Sequence, residues 1–278
     1  MNPISRKIAA AAGILLSACL PPGCGPAQRP AILMDTRNIQ PAADYSELAA
    51  ILRQSVTREG LLIPRQAEKQ AAGLQELLRR LAVTGPTVTP ALVASRPEQL
   101  AYWYNARCAW SIKLAMVYSS ETSSANVDAA EWADRLFQVD GRLMSLRQID
   151  AQLEKLGGWT AVVAAPCACL QRAPLPTDIF SAADIDGYIS RRLNAFIDNE
   201  RRFVIDIEKQ QVLVPPVLWR YRQQIINEYN SRYNTQGANL LTALLPYTEG
   251  SARRRLQDAI GYQAVQAPAE RKLAIKTE

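Results

Sequence analysis

Histidine is absent from all 278 residues. That removes Ser-His and Cys-His nucleophilic catalysis, histidine metal ligands and histidine proton shuttles together. The chain also lacks a concentrated basic surface signal. It carries 32 Lys and Arg against 26 Asp and Glu, a formal net charge of +6. The basic residues are scattered apart from Arg253-Arg254-Arg255. A nucleic-acid binder is expected to gather such charge into a stripe or patch, so no nucleic-acid partner is expected. No internal repeat is seen. Cysteine is sparse, with five residues in the chain.

What is present begins at the N-terminus. MNPISRK carries Arg6 and Lys7 and no acid, and an apolar run from Ile8 to Ala18 follows. This is the pattern of a secretory signal, and it is too short for a membrane-spanning helix, which needs roughly 20 apolar residues. The run ends in Leu16-Ser17-Ala18-Cys19, which resembles the lipobox of bacterial lipoproteins. Residues 1–18 are therefore expected to be removed, leaving Cys19 as a lipid-modified N-terminus anchored in a bilayer. Buried acyl chains contribute about 0.8 kcal/mol per CH₂, so more than one chain gives stable anchoring. Leu20, rather than Asp, follows the cysteine. By similarity to the sorting signals of Gram-negative lipoproteins, this points to the outer membrane, facing the periplasm. Residues 19–43 contain several prolines and little periodicity, and read as a flexible tether. Residues 44–265 are dense enough in apolar side chains for one domain. Residues 266–278 read as a polar tail.

Within the domain, helical stripes run through Leu48, Ile51, Leu52 and Val56, and through Ala67, Ala71, Leu74, Leu78 and Leu81. Ser95-Arg96-Pro97-Glu98 has capping-box spacing. It opens LAYWYNARCAWSIKLAMVY, a helix apolar on nearly every side and so expected at the centre of the core. A short helix at 128–135 leads into FQVDGRLMSL, a hairpin with Asp140-Gly141 at its turn. Ser145 and Gln148 predict a second capping box. Leu146, Ile149, Leu153 and Leu156 continue that helix, and Gly157-Gly158 is expected to stop it. Trp159 to Ala165 reads as a buried strand. A long amphipathic helix is expected over 181–199, strands at 203–207 and 212–214, helices at 217–229 and 239–245, and a last strand near 260–265. The sum is an α+β domain, mostly helical, with a small antiparallel or mixed sheet packed on a buried central helix.

In order and spacing, five blocks resemble the family known as domain of unknown function 547: VTREGLLIP, LAYWYNARCAW, LFQVDGRLMSLRQIDAQL, VVAAPCAC and FVIDIEKQQVLVPPVLWRYRQQI. The resemblance spans about Tyr45 to Val265. It brings no established activity with it. Where the family often has a histidine before its Ser-Cys-Pro turn, this chain has Trp159. Leu170 replaces the proline after the turn cysteine, and Tyr104 and Arg107 depart from the family's core-helix pattern.

Cys167 and Cys169 are the sharpest candidates for chemistry. One reading makes either of them a nucleophilic or redox thiol, activated by a neighbouring cation such as Arg107 or Arg172. The other makes them structural. An exported chain permits disulfides, and with Cys19 lipidated, Cys24, Cys108, Cys167 and Cys169 form an even set with three full pairings. Two sulfurs without histidine make a poor zinc site, so neither metal nor cofactor is expected. Asn105 and Arg107 lie within the apolar helix, where buried polar groups need partners. They either tie down loops or line a pocket for a carboxylate or phosphate. The leading functional expectation is a membrane-tethered, non-catalytic domain that binds an unknown protein or small molecule. A cysteine-dependent acyl-transfer or hydrolytic enzyme is the alternative.

Overall fold

Ser95 and Glu98 start the longest helix among the described residues. In the computed structural model, which describes residues 29–121, 129–269 and 272–276, the Ser95 backbone N–H donates to the Glu98 carboxylate at 2.8 Å. Helix α4 (Arg96–Glu121) follows; α1 (Ser46–Ser55), α2 (Pro64–Lys69) and α3 (Ala71–Val83) precede it. Every residue from Leu100 to Ile112 is buried. A helix with no polar face gains its stability by being surrounded, and α4 is flanked by α2, α3, α6 (Leu146–Val163) and α7 (Ile185–Asp198). Its aromatic residues are packing elements. Trp110 stacks on Phe137 at 4.2 Å, and Tyr104 stacks on Phe180 at 4.6 Å.

After α5 (Ala129–Asp134), strands β1 (Phe137–Val139) and β2 (Arg142–Met144) pair antiparallel, with Val139 opposite Arg142. Asp140 and Gly141 both have positive φ, 51° and 73°. This is the backbone that a two-residue turn of matching twist requires. Ser145 then caps α6: its side chain accepts from the Gln148 N–H while the Gln148 side chain accepts from the Ser145 N–H.

The other sheet is mixed. Strand β3 (Val204–Asp206) pairs antiparallel with β4 (Gln211–Val214), and β4 pairs parallel with β5 (Gln263–Gln266). Four further helices, α8 (Pro216–Trp219), α9 (Arg222–Tyr233), α10 (Leu240–Leu244) and α11 (Gly250–Asp258), lie between β4 and β5. The result is a mostly helical α+β domain, about 53% helix and 11% strand, with two small sheets. No helix among the described residues is long and apolar enough to cross a membrane.

Three sequence expectations need correction. Trp159–Val163 is helical, not a strand. Gly158, at φ 68° and ψ −165°, breaks α6, but the chain re-enters the helix immediately. An apolar run of this length fits a buried helix as well as a buried strand. Residues 31–43, expected within a flexible tether, are packed instead: from Ala31 on the chain belongs to one compact unit. Within it Ile32 bridges to Phe137, Met34 is buried, and the Ala42 N–H donates to Thr84 Oγ1 at 3.1 Å. Finally, part of the polar tail belongs to the core. Leu273 and Ala274 are buried. The Leu62 N–H donates to the Ala274 carbonyl, and the Ala274 N–H donates to the Ala168 carbonyl, each at 2.8 Å. A three-residue apolar patch among charges is diluted in any average over the tail.

Candidate functional site

Two residues one turn apart on α4 hold the cysteine loop. Arg107 and Ser111 are at i and i+4, and so lie on the same face of the helix. Arg107 donates through Nη1 to the Pro166 carbonyl, and Ser111 Oγ accepts from the Ala168 N–H at 2.6 Å. From the other side, the Cys167 N–H donates to the Ala173 carbonyl at 2.9 Å, and the Leu170 N–H donates to the Lys272 carbonyl at 3.1 Å. The loop 166–170 is thus fixed by α4, by its own return at Ala173 and by the C-terminal segment.

Within this loop Cys167 and Cys169 are joined to each other, with Cα atoms 5.2 Å apart, inside the range a disulfide needs. While this bond is closed, neither offers a free thiol as a nucleophile. Cys108 is free and buried. Burial pushes its thiol up to about 12, so it is inert as a thiolate near neutral pH. A full pairing of the four-cysteine set is therefore not formed, because Cys108 lies in the sealed interior of α4. Cys19 and Cys24 lie outside the described residues. Closing so short a loop removes little entropy from the unfolded chain, about 1.6 kcal/mol for three residues against about 3 kcal/mol for fifteen. Stapling is a minor role for this bond.

The disulfide lines a cleft of about 300 Å³. Its polar floor is built on Asp150 of α6. Arg107 Nε donates to Asp150 Oδ1 at 2.6 Å, and Arg172 Nη2 reaches both Asp150 oxygens at 2.9 Å. The Arg107, Asp150 and Arg172 side chains are only 3%, 13% and 17% exposed. Burial pushes the Asp150 carboxyl up, but the charges and hydrogen bonds of Arg107 and Arg172 outweigh this and hold it below the ordinary carboxylate range. Burial pulls the Arg172 guanidinium down to about 10, against the attraction of Asp150. Two guanidinium groups share one carboxylate, so the floor retains a positive charge. Among the described residues lining the cleft, Asp150 is the single acid; Arg147 and Lys272 add cations, and Arg147 is itself paired with Asp134 at 2.6 Å.

The remaining walls are mostly apolar, with Leu146, Pro216, Val217, Leu273, Trp132 and Ala133, and one amide, Gln171. Two buried donors at this site, Arg172 Nε and Trp132 Nε1, have no hydrogen-bond partner. Orphaned buried donors are costly, and here both belong to residues lining a space that an acceptor can enter. Among the described residues no group of three His, Cys, Asp or Glu is placed to hold a metal ion.

Of the sequence candidates, Arg107, Cys167 and Cys169 come together at the cleft. Asn105 does not. Its amide exchanges two hydrogen bonds with the Phe180 backbone, both 2.9 Å, and it is a loop tie. Asp150 is a site residue that the sequence reading misses, and there Arg172 enters only as a charge beside a thiolate. The sequence does not single it out: Asp150 lies at the edge of the apolar arc of Ile149, Leu153 and Leu146, where a charged side chain is ordinary. Comparison with family models, with curated proteins and with solved structures returned no match.

Proposed function

We propose that this chain is a membrane-tethered extracytoplasmic binding protein whose cleft holds a small organic anion. The carrying observation is the charge imbalance on the cleft floor, two buried guanidinium groups against one carboxylate. A buried charge that is not fully compensated favours a bound counter-charge. Arginine presents the fork of donors that suits carboxylate or phosphate. The apolar walls then select an anion with an apolar body, in keeping with the mixed lining of small-molecule sites. Export and lipidation at Cys19, with placement in the cell envelope at the outer membrane, complete the reading. They rest on the N-terminal charge, the apolar run and the lipobox-like Leu16-Ser17-Ala18-Cys19. Kinship with the domain of unknown function 547 rests on the order of the five sequence blocks.

Thermal unfolding in the presence of phenylbutyrate and of phenyl phosphate tests the binding reading. Ligand at a hundred times its dissociation constant is expected to stabilise the native protein by about 2.7 kcal/mol. The melting temperature should rise saturably for at least one of the two, and the rise should vanish in Arg172→Met. No rise with either ligand, or an equal rise in wild type and variant, would overturn it. For the anchor, the membrane-extracted chain is expected to begin at Cys19 and to carry the added mass of a diacylglyceryl thioether and further acylation there. An N-terminal peptide with an unmodified Cys19 would contradict lipidation.

A further inference from the structure

The two cysteines at the cleft are not equally exposed. Cys167 is 1% exposed, whereas Cys169 is half-buried. Both residues line the same cavity as Arg107 and Arg172. The loop that carries them does not depend on the S–S bond for its position. Pro166, Cys167, Ala168 and Leu170 are each tied by a hydrogen bond to α4, to Ala173 or to the C-terminal segment. Opening the bond would leave the backbone of the loop in place while the two sulfurs move apart to van der Waals contact. A disulfide that adds little to stability, faces a ligand-sized space and sits among cations has the setting of a reactive bond, because nearby positive charge favours thiolates.

We propose that the Cys167–Cys169 disulfide is redox-active and exchanges with small thiols that carry a carboxylate or phosphate, the anionic group being seated by Arg172. This rests on the anion-binding reading and names the substrate class of the same cleft. The thiolate of the first substrate attacks Cys169 Sγ, the sulfur of the more exposed residue. An S–S bond forms between substrate and Cys169, the Cys167–Cys169 bond breaks, and the electron pair leaves on Cys167 as a thiolate beside the guanidinium floor. A second substrate thiolate then attacks the substrate sulfur of the mixed disulfide and releases Cys169 as a thiolate. Both cysteine thiolates then take up the protons that the two substrate thiols lost. Two substrate thiols are oxidised to one disulfide, and one cysteine pair is reduced to a dithiol. The reverse steps, with a disulfide of the same class as oxidant, restore the bond.

The test follows reduction of the oxidised full-length chain by alkylation and intact mass, using mercaptopropionate, mercaptoethanol and cysteamine compared at equal thiolate concentration. Mercaptopropionate is expected to react roughly tenfold or more faster than the neutral thiol at low salt, the scale of electrostatic steering into a charged cleft. Cysteamine should be slowest, and propionate should slow mercaptopropionate alone. With dithiodipropionate, Cys167→Ser is expected to accumulate a mixed disulfide at Cys169, while Cys169→Ser, with only the sulfur of the less exposed residue, should accumulate at least tenfold less. Equal rates for the anionic and neutral thiols, or no reduction by any of them, would overturn the proposal. If phenylbutyrate or phenyl phosphate still raises the melting temperature in that case, the redox step fails and anion binding stands. If neither ligand does, both fail.

Discussion

Replacing Asp150 by alanine is expected to destabilise the protein by about 3–5 kcal/mol, the cost of leaving buried charge without its partner. The substitution strands two guanidinium groups, Arg107 and Arg172, in a site where their side chains are 3% and 17% exposed. Against a typical total stability of about 5–15 kcal/mol, a loss of that size is readily measured by urea unfolding. The same carboxylate sets a pH dependence. Its folded value lies below the ordinary one, so its contribution is complete above the unfolded-state value of about 3.9. The contribution is lost as the pH falls through the folded value. Wild type minus Asp150→Asn should therefore show a stability difference that shrinks on acidification below about pH 4; a difference that is flat with pH would count against this pairing. The triple replacement Arg107→Met, Asp150→Leu, Arg172→Met removes all three charges together. It is expected to recover most of the lost stability, since apolar residues commonly substitute for buried ion networks without penalty, and to abolish anion binding. Retained stability with lost binding is the signature of a cluster kept for its ligand.

Asn105→Leu is expected to destabilise by about 2–6 kcal/mol without weakening anion binding. The asparagine is fully buried and satisfies both the N–H and the C=O of Phe180. Leucine has a similar size but leaves both groups orphaned, at about 1–3 kcal/mol each. Phe180 in turn stacks on Tyr104 and meets Tyr188 edge-on at 4.7 Å, so the loop leading into α7 should loosen with it. Hydrogen exchange should report faster opening at residues 178–184. An unchanged unfolding midpoint would show that the loop holds without this tie.

The features legible in the sequence were those set by local chemistry. The Ser95 and Ser145 caps, the Asp140-Gly141 turn and the all-round apolar α4 each follow from a few adjacent residues, and each formed. The features that were not legible depend on partners far along the chain. Trp159–Val163 is helical because it packs beneath α4, where the Tyr104 hydroxyl donates to the Ala161 carbonyl at 2.6 Å, and because the Trp159 indole reaches Glu228. Leu273 and Ala274 are drawn into the core by Leu62 and Ala168, contacts no window on the tail contains. The cleft behaved the same way. Arg107 and the two cysteines were visible as isolated anomalies, but their meeting point, Asp150, became visible only when α4, α6 and the loop after it were placed together.

The positive floor of the cleft has a spatial consequence that binding curves alone do not test. A para-bromophenyl analogue of phenylbutyrate, co-crystallised with the full chain, locates the ligand by anomalous scattering. A single bromine site is expected against Pro216, Val217 and Leu273, with the carboxylate in hydrogen-bond contact with Arg172. Bromine bound elsewhere with the cleft empty, or a carboxylate turned away from both guanidinium groups, would contradict it.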